Sequence, residues 1–253
     1  MSAAPSRHRA PAIARAIWPT VVVTAFALTP VLEAKAIRLA LPSELQQEVE
    51  DLRVTKRRSF TLPARPVDHF LVFGDNEVMQ YRAGWSERTQ LAVGQGALAV
   101  FREKTWRKFS FELADPRSGR LPVDCIESSE SRGLKVAGRH SETDLDLPWD
   151  QELRCRFTSP AGAPRDLLVS FGRGTLSDER GPIVAVEASR RVEGTPIALP
   201  TPVGFLFQRD GKAVGAVEVL NKGRFVLANT LSAEERLDLL AISTALLLAD
   251  SME

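Results

Sequence analysis

The chain has 253 residues, of which 44% are apolar, and 33 basic residues face 32 acidic ones for a formal charge of +1. That composition is too apolar for a disordered chain and too balanced for a nucleic-acid-binding surface, which needs a strongly basic face. Sixteen Gly and sixteen Pro point to a fold rich in turns.

Residues 1–36 read as a secretory signal peptide. Arg7, Arg9 and Arg15 precede an apolar run over residues 17–32, and Ala34 and Ala36 supply the small residues of an A-x-A cleavage site. The run is shorter than a bilayer span and is broken by Pro19 and Pro30. Cleavage would leave Ile37 as the mature start, with no transmembrane span. An uncleaved anchor is the alternative. After removal of this segment the remainder carries a formal −2, because the segment holds four basic residues against Glu33. The address expected from these features is a bacterial periplasm.

Residues 37–58 read as a short N-terminal helix and linker. Ser43 is a candidate cap, and Leu45, Val49 and Leu52 recur at helical spacing. The basic run Lys56, Arg57 and Arg58 follows as a solvated surface. From residue 59 to 253 the texture is that of one β-rich domain. Short alternating runs (residues 69–73, 77–81, 97–101, 108–113, 121–126, 152–158, 166–171, 183–188, 203–208, 213–220 and 224–228) are separated by Gly, Asp, Asn and Pro. Turn signals at such short intervals indicate an antiparallel β-barrel or a sandwich of hairpins. A loose internal repeat agrees with it. Residues 109–119, 153–162 and 204–211 each carry an alternating apolar run, a polar or Pro turn and a Gly.

Cys125 and Cys155 are the only cysteines. An even count in an exported chain favours a disulfide, and both lie in alternating stretches that neighbouring strands could bring together. Closing a loop of this length stabilises a fold by about 3–4 kcal/mol in the chain-entropy model. A redox pair would have C-x-x-C spacing, and a metal site would need further ligands.

Residues 232–250 end the domain as a helix. Ser232 and Glu235 form a capping box, and Leu237, Leu239, Leu240, Ala241, Ile242, Ala245, Leu246, Leu247, Leu248 and Ala249 follow. A helix apolar on every side must be surrounded on every side, so it is expected inside or against the sheet.

The hairpins over residues 109–125 and 204–219, the strand Arg224 to Leu227 and the apolar helix after it together resemble the tubby-like C-terminal superfamily, which includes the phospholipid scramblases and the LURP-one-related proteins. The resemblance is one of architecture and covers roughly residues 60–250. It implies a closed antiparallel barrel threaded by the C-terminal helix. The familiar members act inside cells on lipid head groups, so an exported address departs from them. No lipid-binding residue of that superfamily carries over to a position of this chain.

Catalytic motifs are absent from the sequence: there is no G-x-S-x-G elbow, H-E-x-x-H helix or Walker loop. His69 and His140 are the histidines after residue 36. The densest polar segment, residues 139–152, holds His140, Glu142, Asp144 and Asp146 and reads as a polar loop that could accept a ligand or a hard cation. It lacks the glycine of a calcium loop, so no metal or cofactor is assigned. Trp85, Trp106 and Trp149 read as core or rim residues, with a binding face as the alternative. The expected function is a non-catalytic exported binding module for a lipid, a small ligand or an envelope protein. A hydrolase built around His140, or an assembly partner without a small ligand, are the alternatives. A helix filling the barrel would leave binding to the rim or the outer face.

Overall fold

The computed structural model describes residues 37–57, 69–93, 98–137 and 142–249. Residues 1–36, with the signal peptide expected there, and His140 lie outside the described residues. Among the described residues, twelve antiparallel strands close into a barrel in which β1 (Val49–Arg57) joins β12 (Arg224–Ala228). Between them, in chain order, run β2 (Leu71–Phe73), β3 (Asn76–Val93), β4 (Leu98–Asp115), β5 (Gly119–Ala137), β6 (Glu142–Thr158), β7 (Pro164–Ser170), β8 (Arg173–Asp178), β9 (Gly181–Ser189), β10 (Gly204–Arg209) and β11 (Lys212–Glu218). The helix α1 (Ala233–Leu248) follows. The mainly β class and the apolar C-terminal helix expected from the sequence are both present. The three repeat copies are the hairpins β4–β5, β6–β7 and β10–β11.

Alternation along each strand sorts residues into the barrel or onto its outer wall. Phe109, Phe111, Leu113, Leu121, Val123, Leu153, Phe157, Leu167 and Val169 point inward and are buried against α1. Every residue of α1 from Arg236 to Leu248 is buried, so the helix is the core of the barrel. The helix packs closely on the wall at Gly215. There a Cβ would sit 3.1 Å from Phe207 and Leu227 and 3.2 Å from Leu239, so these side chains would have to shift by a few tenths of an ångström to admit it.

The capping box forms as the sequence indicates. Ser232 Oγ accepts the Glu235 N–H at 3.2 Å, and Glu235 Oε2 accepts the Ser232 N–H at 2.8 Å. At the other end, Arg107 Nη2 donates to the Leu248 carbonyl at 2.8 Å and Arg57 Nη2 to that of Leu247 at 3.1 Å. Two guanidinium groups therefore satisfy orphan carbonyls and complement the negative end of the helix dipole.

The N-terminal helix expected within residues 37–58 is not formed. Only a 3-10 turn, Ser43–Leu45, is helical, and β1 takes over at Val49. The spacing of Leu45, Val49 and Leu52 suits a helix, but these residues serve two different cores. Leu52 and Val54 point into the barrel. Leu45, with Leu39, Val203, Ala216 and Val226, builds a second apolar layer outside β10–β12, against which Val49 packs. β11 and β12 are thus buried on both faces, which is why they read as continuous apolar runs. The barrel domain consequently begins before residue 59, and residues 36–253 form one compact unit.

Two arginines tie the first turns of α1 to the wall. Arg165, 9% exposed, donates to Asp238 and Glu234, each at 2.8 Å, and Arg236 binds Glu50 at 2.6 Å and lies 3.0 Å from Asp115. Burial holds the Asp238 carboxyl above the usual aspartate range, while the Arg165 hydrogen bond pulls it back. Replacing Arg165 by Met removes the partner of a buried carboxylate and is expected to cost about 3–5 kcal/mol. Because the folded carboxyl titrates above the unfolded one, its stabilising contribution is complete below the unfolded value and is lost as pH rises through the folded value. Loss of Arg165 raises the folded value further. Urea midpoints of parent and Arg165→Met should therefore diverge as pH rises from acid to neutral. A difference independent of pH would show that Asp238 is not the group left uncompensated.

Candidate functional site: a cationic groove on the outer wall

Because α1 occupies the barrel, the chemistry offered to a ligand lies outside. A groove of ≈ 640 Å³ opens on the outer face of β3–β6. It is set by the inward direction of Cys125 and Cys155, which face each other across β5 and β6 and form a disulfide. With the cysteines turned inward, their neighbours on both strands must turn outward. Asp124, Ile126, Arg154 and Arg156 therefore line the groove, and Ser110, Lys108 and Arg82 continue it on β4 and β3. The ladder puts Arg82 opposite Ser110, Ser110 opposite Asp124 and Asp124 opposite Arg156.

Gly84 opens the β3 side. The register of β3 against β4 shifts between Ala83 and Ser86, and a Cβ at Gly84 would lie 2.9 Å from both Cβ and the carbonyl oxygen of Lys108. The bulge can form only with a residue that lacks that atom.

Four cations and one carboxylate thus surround Ile126, whose apolar side chain is 43% exposed. Arg154 donates to Glu152 at 2.7 Å and Arg156 to Asp166 at 2.8 Å, both at the surface, where such pairs are weak and exchangeable. Arg82 has no ion-pair partner among the described residues. An excess of cations around an apolar floor suits an anionic group attached to an apolar body. The groove offers no His, and the one disulfide leaves no free thiol.

The residues singled out in the sequence lie elsewhere. Glu142, Asp144 and Asp146 sit on β6, opposite Ala137, Lys135 and Gly133 of β5. The segment expected to be a polar loop is largely strand, because the ladder between β5 and β6 continues well past the cysteines. Trp106 is half-buried, with Lys104 Nζ 4.7 Å above its ring. It belongs to the rim rather than the core. Trp85 and Trp149 lie on β3 and β6. None of Arg82, Lys108, Arg154 and Arg156 stands out in the sequence. The available signal was parity: once Cys125 and Cys155 point inward, Arg154 and Arg156 must point outward.

No protein-family model matches this chain, and no curated protein or solved structure matches it either. Among the described residues, no helix is long and apolar enough to cross a membrane, and no group of His, Cys, Asp and Glu is arranged to hold a metal ion.

Proposed function

We propose that this protein is a non-catalytic binding module of the bacterial envelope, exported by its N-terminal segment, that holds an anionic amphiphile such as a lipid on the outer wall of its barrel. The observation that carries the reading is the groove of Arg82, Lys108, Arg154 and Arg156 around exposed Ile126, on a barrel whose interior is taken by α1. The Cys125–Cys155 disulfide supports an oxidising address. The closed antiparallel barrel around a C-terminal helix supports the tubby-like resemblance, and with it a lipid-directed role.

Mass spectrometry of the protein recovered from an exporting host tests both parts. The denatured chain should begin at Ile37 and be two hydrogens light. The native chain should carry additional mass that leaves on denaturation. Arg82→Glu/Lys108→Glu reverses two exposed cations and should weaken binding to phosphatidylcholine vesicles containing phosphatidylglycerol by about tenfold or more, with pure phosphatidylcholine bound weakly by both proteins. Equal vesicle binding by parent and variant would remove the groove from the reading. An uncleaved or reduced chain would remove the address.

A further inference from the structure

Two hairpins of the barrel turn through the same backbone geometry with different residues. Between Arg209 and Lys212, Asp210 (φ 51°) and Gly211 (φ 76°) make the turn from β10 to β11. Between Ser170 and Arg173, Phe171 (φ 50°) and Gly172 (φ 75°) make the turn from β7 to β8. Positive φ at both central residues is what a type I′ turn requires, and Asp-Gly or Asn-Gly meets it with least strain. An L-phenylalanine is strained there. Packing within the chain does not offset the strain, because Phe171 is 68% exposed. Neither the turn nor the core accounts for an aromatic ring at that position.

Phe171 lines a second cavity, of ≈ 860 Å³, within the size range of small-molecule sites. Its backbone is held on both sides. The Phe171 N–H donates to the Gln151 carbonyl at 3.1 Å, and the Ala188 N–H donates to the Gly172 carbonyl at 2.6 Å. A further wall is the segment from Ala40 to Pro42, held by the Ala40 N–H, which donates to the Arg191 carbonyl at 3.0 Å. Leu41, Ala188 and Leu206 add apolar surface.

Arg173, Arg190 and Arg191 bring three cations to the same cavity, against the single carboxylate of Glu187. Arg173 lies 3.7 Å from Glu187, an exposed and therefore weak pair. Arg190 and Arg191 have no ion-pair partner among the described residues. Guanidinium forks match a phosphate or carboxylate, and the apolar surface beside them matches a carbon body attached to it.

We propose that this cavity binds a soluble organic anion, a phosphate or carboxylate on an apolar body. The head lies among Arg173, Arg190 and Arg191, and the body lies against Phe171. The strained turn is retained because its ring belongs to the site. The site is separate from the outer-wall groove, since no residue lines both.

Titration calorimetry with octyl phosphate tests it, using the full chain carrying Arg82→Glu/Lys108→Glu so that the groove does not contribute. Octyl phosphate should bind at one site per chain, and inorganic phosphate and octanol should each bind about tenfold or more weakly. Adding Arg190→Glu/Arg191→Glu should weaken octyl phosphate by about tenfold or more. Adding Phe171→Asn places a residue suited to the turn, so it should raise the urea midpoint and yet weaken binding about fivefold or more. A purely structural Phe171 would give unchanged affinity or a lower midpoint, and either result would overturn the proposal. Absence of octyl phosphate binding, or equal binding by the double glutamate variant, would overturn it as well. So would a Phe171→Asn chain that loses only its binding to phosphatidylglycerol vesicles, because the ring would then be a contact for a bilayer and not for a free ligand.

Discussion

A chain ending at Thr230, without α1, is expected to show no cooperative unfolding transition. The barrel wall presents Phe73, Phe109, Phe111, Leu153, Phe205, Phe207, Phe225 and Leu227 to its interior, all 3% exposed or less with the helix in place. Without α1 these side chains would line a void, and each forfeits contacts worth on the order of 1.5–3 kcal/mol. That total is as large as, or larger than, the whole marginal stability of a domain. The point variant Leu240→Ala is the graded version. Leu240 is fully buried, and its truncation should lower the unfolding free energy by about 2–5 kcal/mol, depending on how far the wall relaxes. Urea denaturation followed by tryptophan fluorescence reads both. A cooperative transition in the truncated chain would mean that the barrel closes on its own side chains and that α1 is an accessory.

The second large effect is expected from the disulfide. Cys125→Ala/Cys155→Ala should lower stability by about 3–4 kcal/mol, the chain-entropy value for a loop with this separation. The loop contains the outer halves of β5 and β6, which the bond keeps near each other in the unfolded chain. Both sulfurs face the interior at 3% exposure or less, so the bond is sheltered from exchange in the native state. Reductant should therefore act slowly on the folded protein and at once in denaturant. Rapid reduction under native conditions would show that this end of the barrel opens locally. Unchanged stability in the double variant would show that the β5–β6 ladder holds the register without the bond.

Much of the architecture was legible because its signals are local. The alternation at residues 109–113, 121–125 and 153–157 gives strands with one apolar face. Pro116 to Gly119, Ser159 to Gly162 and Asp210 with Gly211 give the turns between them. The cysteines share the parity of their strands, which made their pairing foreseeable. The N-terminal helix failed for an instructive reason. Leu45, Val49 and Leu52 lie at helical spacing, yet Leu52 is needed inside the barrel and Leu45 on its outer face. Periodicity cannot show that one short segment serves two cores. The polar segment of residues 139–152 was read as a loop because its charges hide the strand alternation, which only pairing with β5 reveals.

By itself, the sequence determined the β-rich class, the disulfide partners and the capped helix that cannot face water, because each depends on residues within a few positions or on a count of two. Tertiary structure alone decided the closure of β1 on β12 and the gathering of Arg82, Lys108, Arg154 and Arg156 from three strands into one groove. These features depend on strand order and register between residues far apart in the chain. Register is set by summed packing against α1, not by any short run of residues.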